Sequence, residues 1–447
     1  MYEFFSNIKA MALVLGVMIL VHEWGHYIAA KLLGVRVEVF AIGFGPRIIG
    51  FRRNGTDYRL ALLPLGGYVK MAGENIMENR TGAPDEFMSH PRWHRFIIAA
   101  AGPFMNIVLA VALLTGVYMF HYERPVYLDK PATIGWVLED SPAQKLGVQP
   151  GDRIIRIDDV QNPTWEDVIP KIALSPNRPV NVAIQRGNEI FEKDITPSVV
   201  GREQLGHAGW IPDEPNTVTK LEPEMPAAKA GVKEGDTIVA VNGQAMRSMQ
   251  QVIRTIRESK GAPITMAVVR EGKEHTFNIV PEATKLEGQS EPIYRIGVQS
   301  IPVQVDQLPF GQAITKSIQD SKRNSLLIFE LLGKMIRREV SVKQIEGPIS
   351  IARYSGEAAR QEGWTPLLKL MAIISLNLGI FNLLPIPILD GGVILLLAIE
   401  GVMRRDLSQA LKERIYQAAF VFLILFAVMV IYNDLVKTIP GLAQRLP

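Results

Sequence analysis

Two histidines and a glutamate near the start of the chain have the residue types and spacing to bind and use a zinc ion. They form the sequence His22-Glu23-Trp24-Gly25-His26. On a helix, a spacing of four residues places both imidazoles on one face, about one turn apart, where they can bind one Zn²⁺. Glu23 adjoins the first imidazole and can act as general base toward a water activated by the metal. Two ordinary histidines on a soluble helix are the alternative.

A catalytic zinc usually takes three protein ligands and leaves one position open for water, so a third ligand is needed. The strongest candidate is Asp390, within Asn382-Leu-Leu-Pro-Ile-Pro-Ile-Leu-Asp-Gly-Gly392. Pro385 and Pro387 end the apolar helix before it, and irregular backbone at membrane depth is tolerated where it lines a cavity. The alternative role for Asp390 is to cap the helix that follows. The remaining histidines lie outside the apolar segments: His90, His94, His121, His207 and His275.

Four apolar segments predict that the chain spans a membrane. The first, from about Ile8 to Leu33, carries the histidine motif, and ionisable residues inside a bilayer are costly and usually functional. A signal peptide, the alternative for this segment, would carry a basic start and a small-residue cleavage site. The others are uncharged runs long enough to cross a hydrocarbon core of about 30 Å, where buried core helices would be shorter. They are Phe96–Phe120, Leu370–Leu389 and Ile415–Tyr432.

Composition excludes several other classes of protein. The chain has 48 Lys or Arg and 45 Asp or Glu, and a net charge of +3 is too balanced for a typical nucleic-acid binder. No cysteine is present, which excludes disulfide scaffolds, cysteine proteases and thiolate metal sites.

The distribution of positive charge predicts the orientation in the membrane. Ten Lys or Arg lie between Lys31 and Arg95, and a second basic loop with Arg404 and Arg405 joins the last two spans. The positive-inside rule places both loops in the cytoplasm. The long segment from His121 to about Trp364 is then exported.

The exported segment contains an internal repeat: eight residues of the first copy recur 84 positions later in the second copy. In each copy a short helix ends at a glycine, Gly147 or Gly231, and a turn leads to an alternating strand. The pattern resembles the PDZ domain in its permuted bacterial form, over about Pro125 to Pro302. PDZ domains bind peptides as an added strand, but these two could equally be spacers or size filters. The recurring residues are Pro142, Ala143, Lys145, Gly147, Val148, Gly151, Asp152 and Ile154.

The loop between the first two spans predicts a β-hairpin. Asn54-Gly55 is a strong two-residue turn signal. A peptide bond in a transmembrane helix can be attacked only once the helix opens, and unpaired backbone groups are costly in lipid. An edge strand near the zinc could pair with them by strand addition. An ordinary hairpin without substrate contact is the alternative. The candidate edge strand consists of Tyr68, Val69, Lys70 and Met71.

The combined motifs resemble those of the site-2 intramembrane metalloproteases, in the type with two PDZ domains. H-E-x-x-H lies in the first span, N-x-x-P-x-P-x-L-D-G lies near the third, and the repeats lie between the second and third spans. The resemblance covers essentially the whole chain, including three further motifs: Ile42-Gly-Phe-Gly-Pro46, Gly66-Gly-Tyr-Val-Lys-Met71 and Gly102-Pro-x-x-Asn106.

This resemblance implies a role for each candidate residue. His22, His26 and Asp390 would be the zinc ligands, and Glu23 the general base. Asn382 would lie beside the site and help to hold or unwind the substrate. The hairpin strand would contact substrate as well.

The predicted fold class is a multi-domain membrane protein. It has an α-helical transmembrane core of four spans with a membrane-associated β-hairpin loop, plus two tandem mixed α/β PDZ domains outside the membrane. The predicted domains are 1–124 with the first two spans, 125–205 and 206–305 as the PDZ domains, 306–365 as an exported helical connector, and 366–447 with the last two spans. The connector contains a mostly amphipathic helix from Phe310 to about Arg338.

The expected function is an intramembrane zinc metalloendopeptidase of the bacterial inner membrane, with its PDZ domains in the periplasm and its catalytic loops facing the cytoplasm. The resemblance implies single-span substrates, such as an anti-sigma factor already trimmed by a first protease, and remnant signal peptides. The other expected partners are the lipid bilayer and peptide ligands of the PDZ domains, without nucleic acid. Two rival functions are a membrane-tethered PDZ adaptor with a non-catalytic zinc site, and a zinc transporter.

Overall fold

The computed structural model describes residues 2–74, 81–200, 205–284, 293–300, 303–340 and 345–438. Pro302, the expected limit of the repeat, and residues 439–447 of the last predicted domain lie outside the described residues. The chain divides into two compact units. The first contains the chain up to Tyr122, Asp306–Gly333 and the chain from Ile345 onward; the second contains Glu123–Val305 and Lys334–Gln344.

The helices include long apolar elements in the first unit and short elements in the second. They are α1 Tyr2–Leu32, α2 Arg92–Phe120, α3 Pro142–Lys145, α4 Trp165–Ala173, α5 Pro226–Ala230, α6 Met249–Glu258, α7 Phe310–Ile336, α8 Pro348–Arg360, α9 Thr365–Asn382, α10 Asp390–Met403 and α11 Gln409–Thr438.

The strands form one long hairpin in the first unit, and most of the others belong to the second unit. They are β1 Val37–Arg53, β2 Thr56–Met71, β3 Tyr122–Pro125, β4 Ile134–Val137, β5 Arg153–Ile157, β6 Val160–Gln161, β7 Val180–Arg186, β8 Glu189–Ile195, β9 Ser198–Val200, β10 Leu205–His207, β11 Trp210–Pro212, β12 Lys220–Leu221, β13 Thr237–Val241, β14 Gln244–Ala245, β15 Ile264–Arg270, β16 Lys273–Ile279, β17 Glu282–Thr284, β18 Ile293–Arg295, β19 Val298–Gln299 and β20 Val303–Asp306.

Four of the described helices are long and apolar enough to cross a membrane, the number that the sequence predicts. The third helix ends at Asn382, ahead of Pro385 and Pro387, which cannot continue a helix, whereas the uncharged run continues to Leu389. It also begins before Leu370, since Lys369 interrupts the uncharged run but lies within the helix. The four segments are Phe5–Leu32, Arg92–Phe120, Thr365–Asn382 and Gln409–Val436.

Strands β1 and β2 form a bent hairpin that turns at Asn54-Gly55. The φ angles of these residues, 50° and 76°, are both positive, as a type I′ turn requires. Residues 37–42 pair with 67–71 on one side, and residues 39–42 pair with 57–60 on the other. Within the described part of the chain, residues 67–71 pair on one side only, so they form an edge of this sheet.

The second unit contains two copies of one small α/β fold. The sheet order is β6-β5-β7-β8 in the first copy and β14-β13-β15-β16 in the second, so the copies share their topology. A helix contributes to each core: Trp165 and Val168 of α4 in the first copy, and Val252 and Ile256 of α6 in the second.

One buried aspartate in each copy explains why Gly-Asp recurs in the repeat. Asp152 and Asp236 are 1% and 0% exposed. Arg186 donates from Nε to Asp152 at 2.7 Å, and Arg270 donates from Nε to Asp236 at 2.7 Å. Each guanidinium also donates to the carbonyl oxygen of the glycine that follows the short helix. These bonds tie the end of a strand to the end of that helix.

In the first unit, α2 packs between α1 and α9. Glycines allow this close approach, as small residues commonly do between helices in lipid. A Cβ at Gly25 of α1 would collide with the carbonyl oxygen of Ala101, and a Cβ at Gly379 of α9 would lie 2.9 Å from that of Pro103. The helix with the histidine motif and the helix that leads to Asp390 therefore both contact α2.

Candidate metal centre

The side chains of His22, His26 and Asp390 converge in the first unit. Nε2 of His22 lies 3.2 Å from Nε2 of His26 and 3.2 Å from Oδ2 of Asp390. Nε2 of His26 lies 3.4 Å from Oδ1 of Asp390. Both histidines are buried, and the Asp390 side chain is 21% exposed. The structure therefore brings together all three ligands predicted from the sequence.

The three ligand atoms fit a zinc ion. Zinc binds histidine and carboxylate at about 2.0–2.2 Å in a tetrahedron, which places neighbouring ligand atoms about 3.3 Å apart. The separation between the two Nε2 atoms, 3.2 Å, is close to that value, as are the distances from His22 to Oδ2 and from His26 to Oδ1 of Asp390, 3.2 and 3.4 Å. One ligand atom from each residue lies within 4.8 Å of the other two. Among the described residues the cluster contains three ligand side chains. The fourth tetrahedral position is thus left for water or substrate, as in catalytic zinc sites.

Local sequence explains how Asp390 reaches the histidines. Residues 383–389 leave the helical path after α9, and α10 begins at Asp390 itself. The next two residues are glycines, and the main chain of the turn before α10 lies too close to both of them for a side chain to fit. A Cβ at Gly391 would collide with the carbonyl oxygen of Leu383, and one at Gly392 with that of Ile386. The paired glycines therefore hold the start of α10 against the turn before it.

Helix α2 contacts both imidazoles on the side away from Asp390. Nδ1 of His26 donates to the carbonyl oxygen of Ile98 at 2.7 Å, which leaves Nε2 for a metal. Gly102 lies where the His26 ring passes, and a Cβ there would collide with the imidazole. One turn further along, Asn106 contacts Nδ1 of His22 at 3.2 Å. The sequence motif Gly102-Pro-x-x-Asn106 by itself predicts no role for Gly102 or Asn106.

Glu23 and Asn382 lie beside the three ligands. Both line the same cavity of about 680 Å³ as His22, His26 and Asp390. Nδ2 of Asn382, at the end of α9, lies 3.5 Å from Nε2 of His22. Glu23 borders the hairpin, since a Cβ at Gly67 would lie 3.3 Å from its Cγ.

Three of the four predicted hairpin residues also reach this cavity. Tyr68, Val69 and Met71 line it, whereas Lys70 does not and instead pairs with Glu38 at 3.2 Å. Tyr68, Val69 and Lys70 line a second, smaller hollow of about 350 Å³. The edge of the sheet is therefore accessible close to the metal position.

Polar residues that the sequence reasoning missed line the same cavity. Glu400 and Lys412 are buried and form an ion pair of 2.6 Å. Glu74, which follows β2, also lines the cavity. Arg95 and Tyr416 complete this group. A single acidic residue within the apolar stretch of α10 was the signal that could have identified Glu400, since isolated charges in apolar helices are usually functional or paired.

Comparison with known proteins decides the family. Residues 10–426 match peptidase family M50. The chain belongs to this family. The regulator of sigma-E protease RseP from Escherichia coli K12 is 30% identical over 97% of this chain and 99% of its own length. A Vibrio cholerae protein provisionally named as a zinc metalloprotease is 32% identical over 98% of this chain and 100% of its own length.

Family membership confirms the prediction of a membrane zinc metalloprotease that uses Zn²⁺. The four apolar helices and the relatives together indicate an inner-membrane protein. A solved PDZ domain of an SdrC-like protein from Listeria monocytogenes is also similar, with 24% identity over 20% of this chain and 87% of that domain. Its TM-score is 0.17.

Proposed function

We propose that the protein cleaves single-span membrane proteins within or near the bilayer, at a zinc ion held by His22, His26 and Asp390. The observation that carries this proposal is the set of three separations, 3.2, 3.2 and 3.4 Å, between the two imidazoles and the Asp390 carboxylate. Both imidazoles lie on a helix apolar enough to cross a membrane. An open fourth position beside a glutamate is the arrangement of a hydrolytic zinc site.

Glu23 is the proposed general base. When bound, zinc supplies Lewis-acid activation of water and of the scissile carbonyl. The Glu23 carboxylate takes the proton from the attacking water and returns it to the departing amide nitrogen. Its place in the cavity next to both imidazoles supports this role. General bases contribute about 10²–10⁴-fold to the rate of such reactions.

The substrate would bind as an added strand along residues 67–71. A transmembrane helix must open before its peptide bond can be attacked, and the freed N–H and C=O groups then need partners in lipid. The edge formed by residues 67–71 can supply them. Tyr68, Val69 and Met71 line the cavity that contains the ligands, which supports this path. Lys70 does not line the cavity and would contribute main-chain bonds. The Asn382 amide, 3.5 Å from His22, would hold a carbonyl group of the opened segment.

The two copies in the second unit, 125–205 and 206–305, are proposed to be tandem PDZ domains. Their shared strand order and the repeated Asp–Arg pairs support a duplication of one fold. With the basic loops in the cytoplasm, these domains and the connector 306–365 would lie in the periplasm. There they could bind peptides or exclude substrates that still carry a bulky outer domain. An anti-sigma factor already trimmed by a first protease, or a remnant signal peptide, would then be accepted.

Deleting residues 125–302 tests this exclusion. Cleavage of an untrimmed single-span substrate is expected to rise, because the obstruction is gone, while cleavage of the trimmed substrate stays constant. Unchanged selectivity between the two substrates would contradict the proposed role of the PDZ pair.

The two rival functions fit the site less well. A structural zinc site in an adaptor is closed by four protein ligands, whereas the cluster among the described residues has three. A zinc transporter would need ionisable residues along several spans. The uncharged run of Phe96–Phe120 in α2 offers none.

Replacement of Glu23 by glutamine separates proteolysis from metal binding. The full-length Glu23→Gln protein is expected to lose cleavage of a membrane-spanning substrate by about 10²–10⁴-fold. Its zinc content should equal that of the wild type, because no ligand is removed. Glu413→Gln, in α11, is the matched control, because Glu413 is not among the residues that line the cavity. Wild-type cleavage by Glu23→Gln would refute the proposed mechanism.

A further inference from the structure

The buried side chain of Asn106 is placed against His22 with one of its polar atoms unpaired. Asn106 lies on α2 and is 0% exposed. Its Nδ2 lies 3.2 Å from Nδ1 of His22. Its Oδ1 is buried and has no hydrogen-bond partner among the described residues. Buried polar atoms are normally hydrogen-bonded, so this oxygen calls for an explanation.

The chemistry of a zinc-binding imidazole supplies the missing donor. Nε2 of His22 faces Asp390 and His26, so Nε2 is the nitrogen directed at the metal position. A neutral imidazole that binds metal through Nε2 carries its proton on Nδ1 and needs an acceptor there. An amide NH₂ cannot accept this proton, but an amide oxygen can. A rotation of the Asn106 side-chain amide by 180° exchanges the positions of its oxygen and nitrogen, and the two orientations occupy nearly the same space. In the rotated orientation, Oδ1 of Asn106 accepts from Nδ1–H of His22.

We propose that Asn106 is a positioning residue that accepts a hydrogen bond from Nδ1–H of His22 and thereby presents Nε2 to zinc. The inference rests on the proposed zinc site and extends it to a residue of α2. The carbonyl oxygen of Ile98 does the same for His26, at 2.7 Å. Metal-bound histidines commonly donate their second nitrogen to a carboxylate, carbonyl or water, and such partners fix both tautomer and ring orientation.

Helix α9 holds this turn of α2 in place. Ser375 donates from Oγ to the main-chain oxygen of Asn106 at 2.8 Å. Gly379 allows close contact, since a Cβ there would lie 3.4 Å from Cβ of Asn106. The same helix ends at Asn382, whose amide is near Nε2 of His22. Both asparagines thus approach His22 from elements that pack on each other.

Zinc affinity of the full-length protein tests the role of Asn106, measured by competition with a chromophoric chelator. Asn106→Leu keeps the approximate size but removes the acceptor, and its zinc affinity is expected to fall about 10–100-fold. Asn106→Asp keeps an oxygen acceptor and is expected to bind zinc at least as tightly as the wild type. Thr115→Val, which removes a buried hydroxyl elsewhere on α2, should leave the affinity unchanged.

Cobalt(II) substitution adds a readout of ligand geometry. The visible spectrum is expected to change in Asn106→Leu and to stay like that of the wild type in Asn106→Asp. Asn106→Ala replaces the leucine variant if the latter does not fold. The role of Asn106 would be overturned if Asn106→Leu or Asn106→Ala bound zinc as tightly as the wild type. It would also be overturned if Asn106→Asp lost as much zinc affinity as Asn106→Leu. Absence of zinc binding by the wild-type protein would instead overturn the proposed zinc site, and this inference with it.

Discussion

The carboxylate of Asp390 lies 3.2 Å from Nε2 of His22, although the two residues come from opposite ends of the chain. Asp390 is the first residue of α10, and the glycines behind it pack against main-chain oxygens of the preceding turn. The third ligand is therefore positioned by the backbone path after α9. Small changes in that turn should therefore weaken metal binding even where no ligand is replaced.

Gly391→Ala is expected to weaken zinc binding without touching a ligand. The added Cβ would collide with the carbonyl oxygen of Leu383, so the start of α10 must shift and carry Asp390 with it. Zinc retained after dialysis should fall several-fold, with a matching loss of cleavage. Gly401→Ala in the same helix meets nothing within 4 Å and is the control. It should retain zinc and gain up to about 1 kcal/mol of helix stability.

Gly102→Ala is expected to displace His26. The added Cβ would occupy the space of the imidazole, and a shift of about 1 Å is enough to disturb metal geometry. Chelator competition should show weaker zinc binding, on the order of tenfold or more. Gly116→Ala, also in α2, has open space around it and should bind zinc normally. Equal affinities in the two variants would contradict the role of Gly102.

A single cysteine at Tyr68 should cross-link to substrate. The natural chain has no cysteine, so an introduced thiol is unique. In the Glu23→Gln background, Tyr68→Cys is expected to form a disulfide with a cysteine near the scissile bond of a bound substrate, because Tyr68 lines the ligand cavity. Arg52→Cys, at the exposed end of the same hairpin, should cross-link much less. Similar cross-linking at both positions would argue against strand addition along residues 67–71.

Asp236→Asn is expected to loosen the second repeat. Burial raises the pKa of Asp236, but hydrogen bonds from Arg270 and the Lys233 N–H outweigh it, so the pKa lies below its ordinary range. The ionised Asp236 carboxylate therefore stabilises the second repeat fully above the ordinary pKa of aspartate, and this contribution is lost as pH falls through the lowered pKa. Hydrogen exchange across 226–270 should be roughly tenfold faster in the variant at neutral pH. Glu274→Gln, an exposed change in β16, should leave exchange unaffected.

Local patterns predict the parts of the site that depend on neighbouring residues. The spacing of His22 and His26 defines a shared helix face, and Asn54-Gly55 defines a type I′ turn. Pro385 and Pro387 predict a break after the third span, although hydropathy alone extended that span to Leu389. Residues 383–389 are apolar, so they raise the mean hydropathy of the segment whether or not their backbone is helical.

Contacts between helices could not be predicted from such patterns. Nothing near Asn106 in sequence indicates that it faces His22. The close contact between Gly102 and the His26 ring depends on how closely α1 and α2 approach. The Glu400–Lys412 pair joins two helices across a loop, so neither partner reveals the other locally. These relationships follow from tertiary packing.

Zinc content combined with zinc-edge X-ray absorption of the purified full-length protein tests the central claim most directly. The expected result is about one zinc per chain with nitrogen and oxygen ligands at about 2.0–2.2 Å, two of them imidazoles. Asp390→Ala should lose most of this zinc, and His22→Ala should lose one imidazole from the signal or the metal altogether. A wild-type protein without zinc, or a zinc environment identical in the wild type and both variants, would contradict the site formed by His22, His26 and Asp390.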